Sequence, residues 1–346
     1  MSAFTIKDIA KICNVGISTV SRAINNDPGI NKNTRERILK VIEECHYVPN
    51  NSARNLKMAE SNTIALLIKG IDNQFFQGML RIYEEELKKM EYSFLIHAVG
   101  EDQDDASVAL ELAKEKRLKG IIFLGGLMDY PEEKMNMIGI PYVLCTVAMN
   151  MAEPKRNCIS VSINDEKESY RAVDYLCQKG HRKIAIITGR ETDFAVGGLR
   201  LKGYKEALRD NGIEYDSDLV RYMKSDLPEY SCANGYQVTK ELLESGVEFT
   251  AIYAISDLVA FGAYKAVFEA GKKIPEDYSV MGFDGLEITR YFNPSLTTMV
   301  QPCSQMVKHS IELLMEAING DKDKKQIIFN AELLERDSVA DINQTA

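Results

Sequence analysis

Ser18, Ser21, Arg22 and Asn25 stand at i, i+3, i+4 and i+7, so a helix over residues 17–25 carries them as one stripe. Small hydrogen-bonding side chains around one guanidinium suit a DNA major groove. Arginine grips guanine bidentately, while hydroxyls and an amide reach phosphates or base edges. The same stripe also fits the solvated face of an ordinary three-helix bundle, and periodicity alone leaves both readings open. Bond-making chemistry has no comparable pattern. There is no GxxxxGK[ST] phosphate loop, and Gly125-Gly126 lacks the rest of a dinucleotide fingerprint. His46, His97, His181 and His309 are scattered, without metal-ligand spacing. Recognition without catalysis is expected, with no cofactor and no metal.

The elements that would hold the stripe are short. Thr5-Ile6-Lys7-Asp8 has the [ST]-x-x-[DE] spacing of a capping box, and Ile6, Ile9, Ala10 and Cys13 then repeat at helical spacing. Asn14-Val15-Gly16 interrupts the repeat before a second helix whose Val20, Ala23 and Ile24 face inward. Asn26-Asp27-Pro28-Gly29 is a turn, and Asn31 caps a third helix with Ile38, Val41, Ile42 and Cys45 inward. This is a helix-turn-helix layout. After Pro49, only about two helical turns can follow, fewer than the roughly 12–15 residues an isolated helix needs in water. Residues 50–60 are therefore expected to fold against a partner, with Leu56 as an apolar tip beside Arg54 and Lys57, suited to a minor-groove step. A plain interdomain linker is the other reading of this segment.

The segments Thr5–Ala10, Ser18–Asn25, Thr34-Arg35, Tyr47–Asn50 and Ala53–Leu56 resemble, in sequence and spacing, the lactose/galactose-repressor (LacI/GalR) family. The resemblance continues across nearly the whole chain. It implies that Ile17, Ser18 and Arg22 read bases, and that Thr5, Thr19, Ser21, Asn25, Thr34 and Tyr47 position the DNA backbone. It makes Asn50, Ala53 and Leu56 part of a hinge helix whose two copies pry open the centre of a pseudo-palindromic operator. Gly16 departs from the family's usual Ser and weakens the cap. Ile17 offers only apolar contact, to a thymine methyl for example, or else serves as a staple onto the bundle.

Charge and composition fit one small DNA-facing module on a larger body. The net charge of −9 hides an asymmetry, because residues 1–60 carry nine Lys/Arg and six Asp/Glu, leaving −12 on the remainder. Seven cysteines form no CxxC pair, which fits reduced thiols in a cytosol. The first eight residues lack the layout of a signal peptide, and no heptad pattern follows residue 341, so neither export, membrane anchoring nor a tetramerising tail is expected.

Beyond Ser61 the periodicity changes. Thr63–Ile68, Ser93–Val99 and Gly120–Leu124 read as strands, with helices from Phe76 to about Met90 and from Ser107 to Lys116. The layout recurs in Lys183–Thr188, Leu199–Asn211 and Thr250–Ala254. The expected fold is α/β: an all-α head and hinge, then two doubly wound parallel-sheet halves with a crevice at their carboxyl-end loops. The resemblance implies a body like a periplasmic sugar-binding protein. It gives a DNA-binding domain over 1–49, a hinge over 50–60, one half over 62–161 plus 295–321, and the other over 163–290 plus 325–341.

The resemblance also implies an effector site. Arg200 matches a clamping arginine, Asp284 the acceptor opposite, Tyr230 a stacking aromatic, Phe76 a wall from the other half and Gln301 a further polar contact. Thr146 and Ser256 stand where sugar-binding members commonly have Asp and Asn, which removes strong acceptors for sugar hydroxyls. An interlobe salt bridge is the structural alternative for Arg200 and Asp284, and core packing for Phe76 and Tyr230. The function implied is a homodimeric repressor of a carbohydrate operon, binding double-stranded operator DNA under control of a sugar or sugar derivative. The alternatives are control by a phosphorylated phosphocarrier protein or, outside regulation, a two-lobed sugar-binding protein or enzyme.

Overall fold

The computed structural model describes residues 4–24, 27–45, 62–100, 103–126, 130–147, 158–191, 193, 195–321, 323 and 325–344. The chain divides into two units, Met1–Ser61 and Asn62–Ala346. The expected boundary between head and hinge falls within residues 46–61, outside the described residues.

The first unit holds α1 (Ile6–Ile12), α2 (Ile17–Ile24) and α3 (Lys32–Glu44). The capping box forms as expected: Asp8 N–H donates to Thr5 Oγ1 at 3.4 Å, and Thr5 N–H donates to Asp8 Oδ2 at 2.8 Å. Asn31 accepts from Asn33 N–H at 3.0 Å and so caps α3. Ile9, Ala10, Cys13, Val20, Ala23 and Ile38 close over one small core. So few buried side chains make a marginal domain.

Among its described residues, the second unit contains two six-stranded sheets. The first comprises β1 (Thr63–Lys69), β2 (Ser93–Val99), β3 (Leu118–Leu124), β4 (Tyr142–Cys145), β5 (Ser160–Ile163) and β11 (Gln326–Phe329), in the order β11-β5-β4-β3-β1-β2. All its pairings are parallel. The second comprises β6 (Ile184–Thr188), β7 (Val220–Tyr222), β8 (Ala251–Ala254), β9 (Ser279–Asp284), β10 (Thr297–Val300) and β12 (Glu332–Leu334), in the order β12-β10-β9-β8-β6-β7. Only β12 runs antiparallel to its neighbour. Inner strands are buried along nearly their whole length because helices cover both faces. Those framing the site are α4 (Gln74–Lys89), α5 (Asp105–Glu115), α6 (Glu132–Asn136), α7 (Asp165–Gln178), α8 (Val196–Asp210), α9 (Cys232–Glu244), α10 (Asp257–Glu269) and α11 (Cys303–Ile318).

Two of the expected crossings lie elsewhere. The sequence reading puts residues 295–321 in the first half, yet β10 pairs with β9 in register Met299↔Phe283 and extends the second sheet. The chain crosses after it, at Gln301-Pro302. The same reading puts residues 325–341 in the second half, yet β11 pairs with β5 in the first sheet. The return crossing is therefore at Asn330-Ala331, before β12. An apolar strand pattern specifies burial but not which sheet supplies the partner.

Among the described residues, no helix is long and apolar enough to cross a membrane.

Candidate functional site

In the head, α2 buries Val20 and Ala23 and turns its polar stripe outward. Ser18 and Arg22 are exposed, and Thr19 and Ser21 half-buried. Ile17 is 43% exposed and stays outside the apolar cluster, so it is a surface side chain and not a staple. Arg22 Nε lies 3.8 Å from Asp27 Oδ2, a loose exposed pair that leaves the guanidinium able to swing. Thr5 and Thr34 open α1 and α3, with Thr5 engaged in its cap. Asn25, Tyr47, Asn50, Ala53 and Leu56 lie outside the described residues.

In the second unit, a cavity of about 750 Å³ opens among the carboxyl ends of both sets of strands, where open parallel sheets place ligands. From the first sheet come Lys69 at the end of β1, Phe75 and Phe76 at the start of α4, Gly125 after β3 and Thr146 after β4. From the second come Arg190 and Asp193 after β6, Arg200 on α8, Glu229, Tyr230, Asp284 at the end of β9, and Gln301 after β10. Six of the seven expected effector residues thus line one cavity: Phe76, Thr146, Arg200, Tyr230, Asp284 and Gln301. Ser256 does not. Its Oγ accepts from Val259 N–H at 3.3 Å and caps α10, so its hydroxyl serves the fold.

Arg200 is the anchor of the floor, at 4% exposure. Its Nε donates to Asp165 Oδ1 at 2.9 Å, Nη2 lies 2.8 Å from the same oxygen, and Nη1 donates to the Ile255 carbonyl. Nη1 also lies 3.7 Å from Asp284 Oδ1, and the guanidinium carbon sits 3.6 Å from the centre of the Phe283 ring. Asp165, Arg200 and Asp284 all belong to elements around the second sheet, so the expected interlobe pair is a pair within one half. Gln301 Nε2 donates to Asp284 Oδ1 at 2.8 Å and ties the crossing strand to the same carboxylate. Behind them, Asp257 accepts from Thr298 Oγ1 at 2.6 Å and from Leu286 N–H at 2.7 Å.

Two carboxyls therefore flank one buried guanidinium, and a third, Asp257, faces Asp284. Burial pushes Asp165, Asp257 and Asp284 above the usual carboxylate range; Arg200 pulls Asp165 and Asp284 back, and Asp284 pushes Asp257 further up. Burial works against a charged Arg200, but Asp165 and Asp284 outweigh it and leave the guanidinium more firmly protonated.

Strain gathers at the same place. Thr146, Tyr230 and Asp284 have φ of 75°, 52° and 116°, in the left-handed region that non-glycine residues avoid. Thr146 is held there by Gly125 N–H, which donates to its Oγ1 at 3.0 Å. Such torsions cluster where a surrounding structure fixes side chains for a ligand. Tyr230 donates its hydroxyl to Asp193 Oδ2 at 3.2 Å. Sequence reasoning overlooked Asp193, the Arg190–Glu229 pair at 2.6 Å, and Asp165. Gly189, Gly197 and Gly198 hint at close backbone approach after β6, but their spacing does not single out Asp193, and nothing local marks Asp165.

Residues 5–50 match the family model described as bacterial regulatory proteins, lacI family, and residues 173–339 match the periplasmic binding protein-like domain. The chain is 38% identical to the HTH-type transcriptional regulator MalR of Clostridium butyricum, with 97% of this chain and 99% of the relative covered. A cellobiose complex of the transcriptional regulator CelR superposes with a TM-score of 0.71 at 28% identity, over 97% of this chain and 99% of that one. A ribose-bound LacI family transcriptional regulator from Enterococcus faecium gives 0.68 at 28% identity, over 81% and 99%. With a helix-turn-helix in one unit, a two-sheet cavity in the other and relatives matched end to end, the chain belongs to the lacI family of bacterial regulatory proteins.

Proposed function

We propose that the chain is a homodimeric, cytoplasmic repressor that binds a pseudo-palindromic operator, with its affinity for that DNA set by a sugar or sugar derivative in the two-sheet cavity. The observation that carries this is α2: it hides its apolar side and presents Ser18 and Arg22 outward, the arrangement a recognition helix needs. Ile17, Thr19, Ser21 and Thr34 complete the described part of the proposed DNA surface, and Leu56 the proposed hinge.

The cavity is the proposed switch. A ligand touching both Phe76 from the first sheet and Tyr230 or Asp284 from the second favours whichever lobe arrangement lets it reach both at once. It shifts the equilibrium only by its preference between the two arrangements. The intact cavity and its aromatic walls favour a small molecule over a phosphorylated phosphocarrier protein as the controlling partner. The complexes of relatives with cellobiose and ribose support the same choice. Exposed Ile288 and Tyr291 on one short turn offer apolar area to a second copy.

The test is footprinting of promoter fragments with the full chain, with and without a panel of sugars, alongside Arg22→Ala. A protected inverted repeat that a sugar strengthens or abolishes, and that Arg22→Ala loses, is expected. Absence of any protected repeat under all conditions refutes the reading.

A further inference from the structure

Both guanidiniums lining the cavity are already paired with carboxylates, and the Lys69 ammonium is tied to a carbonyl. Arg200 is held by Asp165 and Asp284, Arg190 Nε lies 2.6 Å from Glu229 Oε1, and Lys69 Nζ donates to the Gln103 carbonyl at 2.9 Å. Lys69, Arg190 and Arg200 face Asp72, Asp193, Glu229 and Asp284 around the lining, so its formal charge is negative. Asp193 stands apart from the other carboxylates. It precedes α8, where its Oδ1 accepts from Ala195 N–H at 2.7 Å and its Oδ2 from Gly197 N–H at 3.0 Å. Amide groups at the start of a helix are the usual seat of a ligand phosphate or carboxylate. Here the chain's own carboxylate fills that seat.

The surrounding sequence is cut to fit it. A Cβ on Gly189 or on Gly197 would lie 2.3 Å from Asp193 Oδ2, and one on Gly198 would lie 2.4 Å from the Asp193 carbonyl oxygen. Tyr230, in its left-handed conformation, donates to Oδ2 as well. A carboxylate offers about four acceptor sites, so after Ala195, Gly197 and Tyr230, its partners among the described residues, roughly one remains for a ligand hydroxyl.

We propose that Asp193 is a specificity-determining residue that makes the cavity select uncharged, hydroxyl-bearing ligands and refuse phosphate esters and acidic sugars. This rests on the reading of the cavity as the effector site. A neutral pyranose gains an acceptor for one hydroxyl and the faces of Phe76 and Tyr230. A phosphate brought to the same place meets a like charge in a partly dry site and finds the Ala195 and Gly197 amides taken and Arg190 and Arg200 already paired with carboxylates.

The experiment is calorimetric titration of the full chain with glucose, cellobiose and trehalose and with the 6-phosphate of each, repeated on Asp193→Asn and Asp193→Ser. The serine keeps a short capping acceptor, and thermal melting verifies the fold of both variants. The expected result is a neutral ligand whose phosphate ester binds the native chain at least about a hundredfold more weakly, a gap that narrows at least about tenfold in a folded variant. A phosphate ester that binds the native chain as well as its parent sugar overturns the proposal. So does an unchanged gap in a folded variant. If both variants misfold, the native pairs alone decide. If neither form of any sugar binds, sugar control of the cavity falls and this inference with it, a result distinct from binding with the wrong charge preference.

Discussion

Replacing Arg200 with methionine keeps an unbranched stem and removes the guanidinium from between Asp165 and Asp284. Both carboxyls are then left without their counter-charge where water scarcely reaches, at 4% and 6% exposure. Removing one partner of a buried ion pair costs about 3–5 kcal/mol, because the other charge stays buried and uncompensated. The orphaned carboxyls have an escape, since each can take up a proton at about 1.4 kcal/mol for every pH unit above its pKa. Burial has already raised both, so the escape is cheap in mild acid. The loss should therefore be near the full 3–5 kcal/mol at pH 7.5 and smaller by about 1–3 kcal/mol at pH 5. The chain has no tryptophan, so the assay is urea unfolding followed by far-ultraviolet circular dichroism at both pH values. A loss under about 1 kcal/mol at pH 7.5, or the same loss at both pH values, would refute the picture of one cation holding a carboxyl cluster together.

Other perturbations give independent readings. The raised pKa of Asp257 means its neutral form is favoured in the folded chain, so that contribution is complete below the ordinary carboxyl pKa of about 4 and is lost as pH rises through the raised value. Asp257→Asn should flatten the decline of stability between pH 5 and 8, and a decline parallel to that of the native chain would contradict this. At Gly203 a Cβ would lie 2.1 Å from the Glu166 carbonyl oxygen on α7, so Gly203→Ala must part α7 from α8 and lower stability by about 1–3 kcal/mol or more, read as a drop in the urea midpoint. Thr5→Ala removes one side of the capping box and should cost the small head about 1 kcal/mol, visible as an earlier first transition in calorimetric scans; an unmoved transition counts against the cap.

Local patterns carried much of the fold. Thr5, Asn31 and the β2 strand Ser93–Val99 stand where capping chemistry and apolar runs put them. The two displaced crossings show what such patterns lack. Nothing in Thr297–Val300 or Gln326–Phe329 says whether the neighbour in the sheet is β9 or β5, because pairing of distant strands is a property of the closed structure. The site was legible wherever a residue type was kept, as at Arg200, Asp284 and Gln301. Ser256 is the exception, because Ser256-Asp257 before an apolar run is itself a helix start, and that local use occupies the hydroxyl. Asp193 escaped notice because its position follows from three glycines and a tyrosine 37 residues away, a three-dimensional arrangement that spacing does not encode.

The central claim, that α2 reads base edges through Arg22, is tested most directly by selecting duplexes from a randomised pool with the full chain and with Arg22→Ala. The account predicts an inverted repeat with a guanine fixed in each half-site for the native chain, and loss of preference at that guanine, about 1–3 kcal/mol of discrimination, for the variant. A pool that stays random, or a repeat that both proteins select with the same guanine preference, would contradict it.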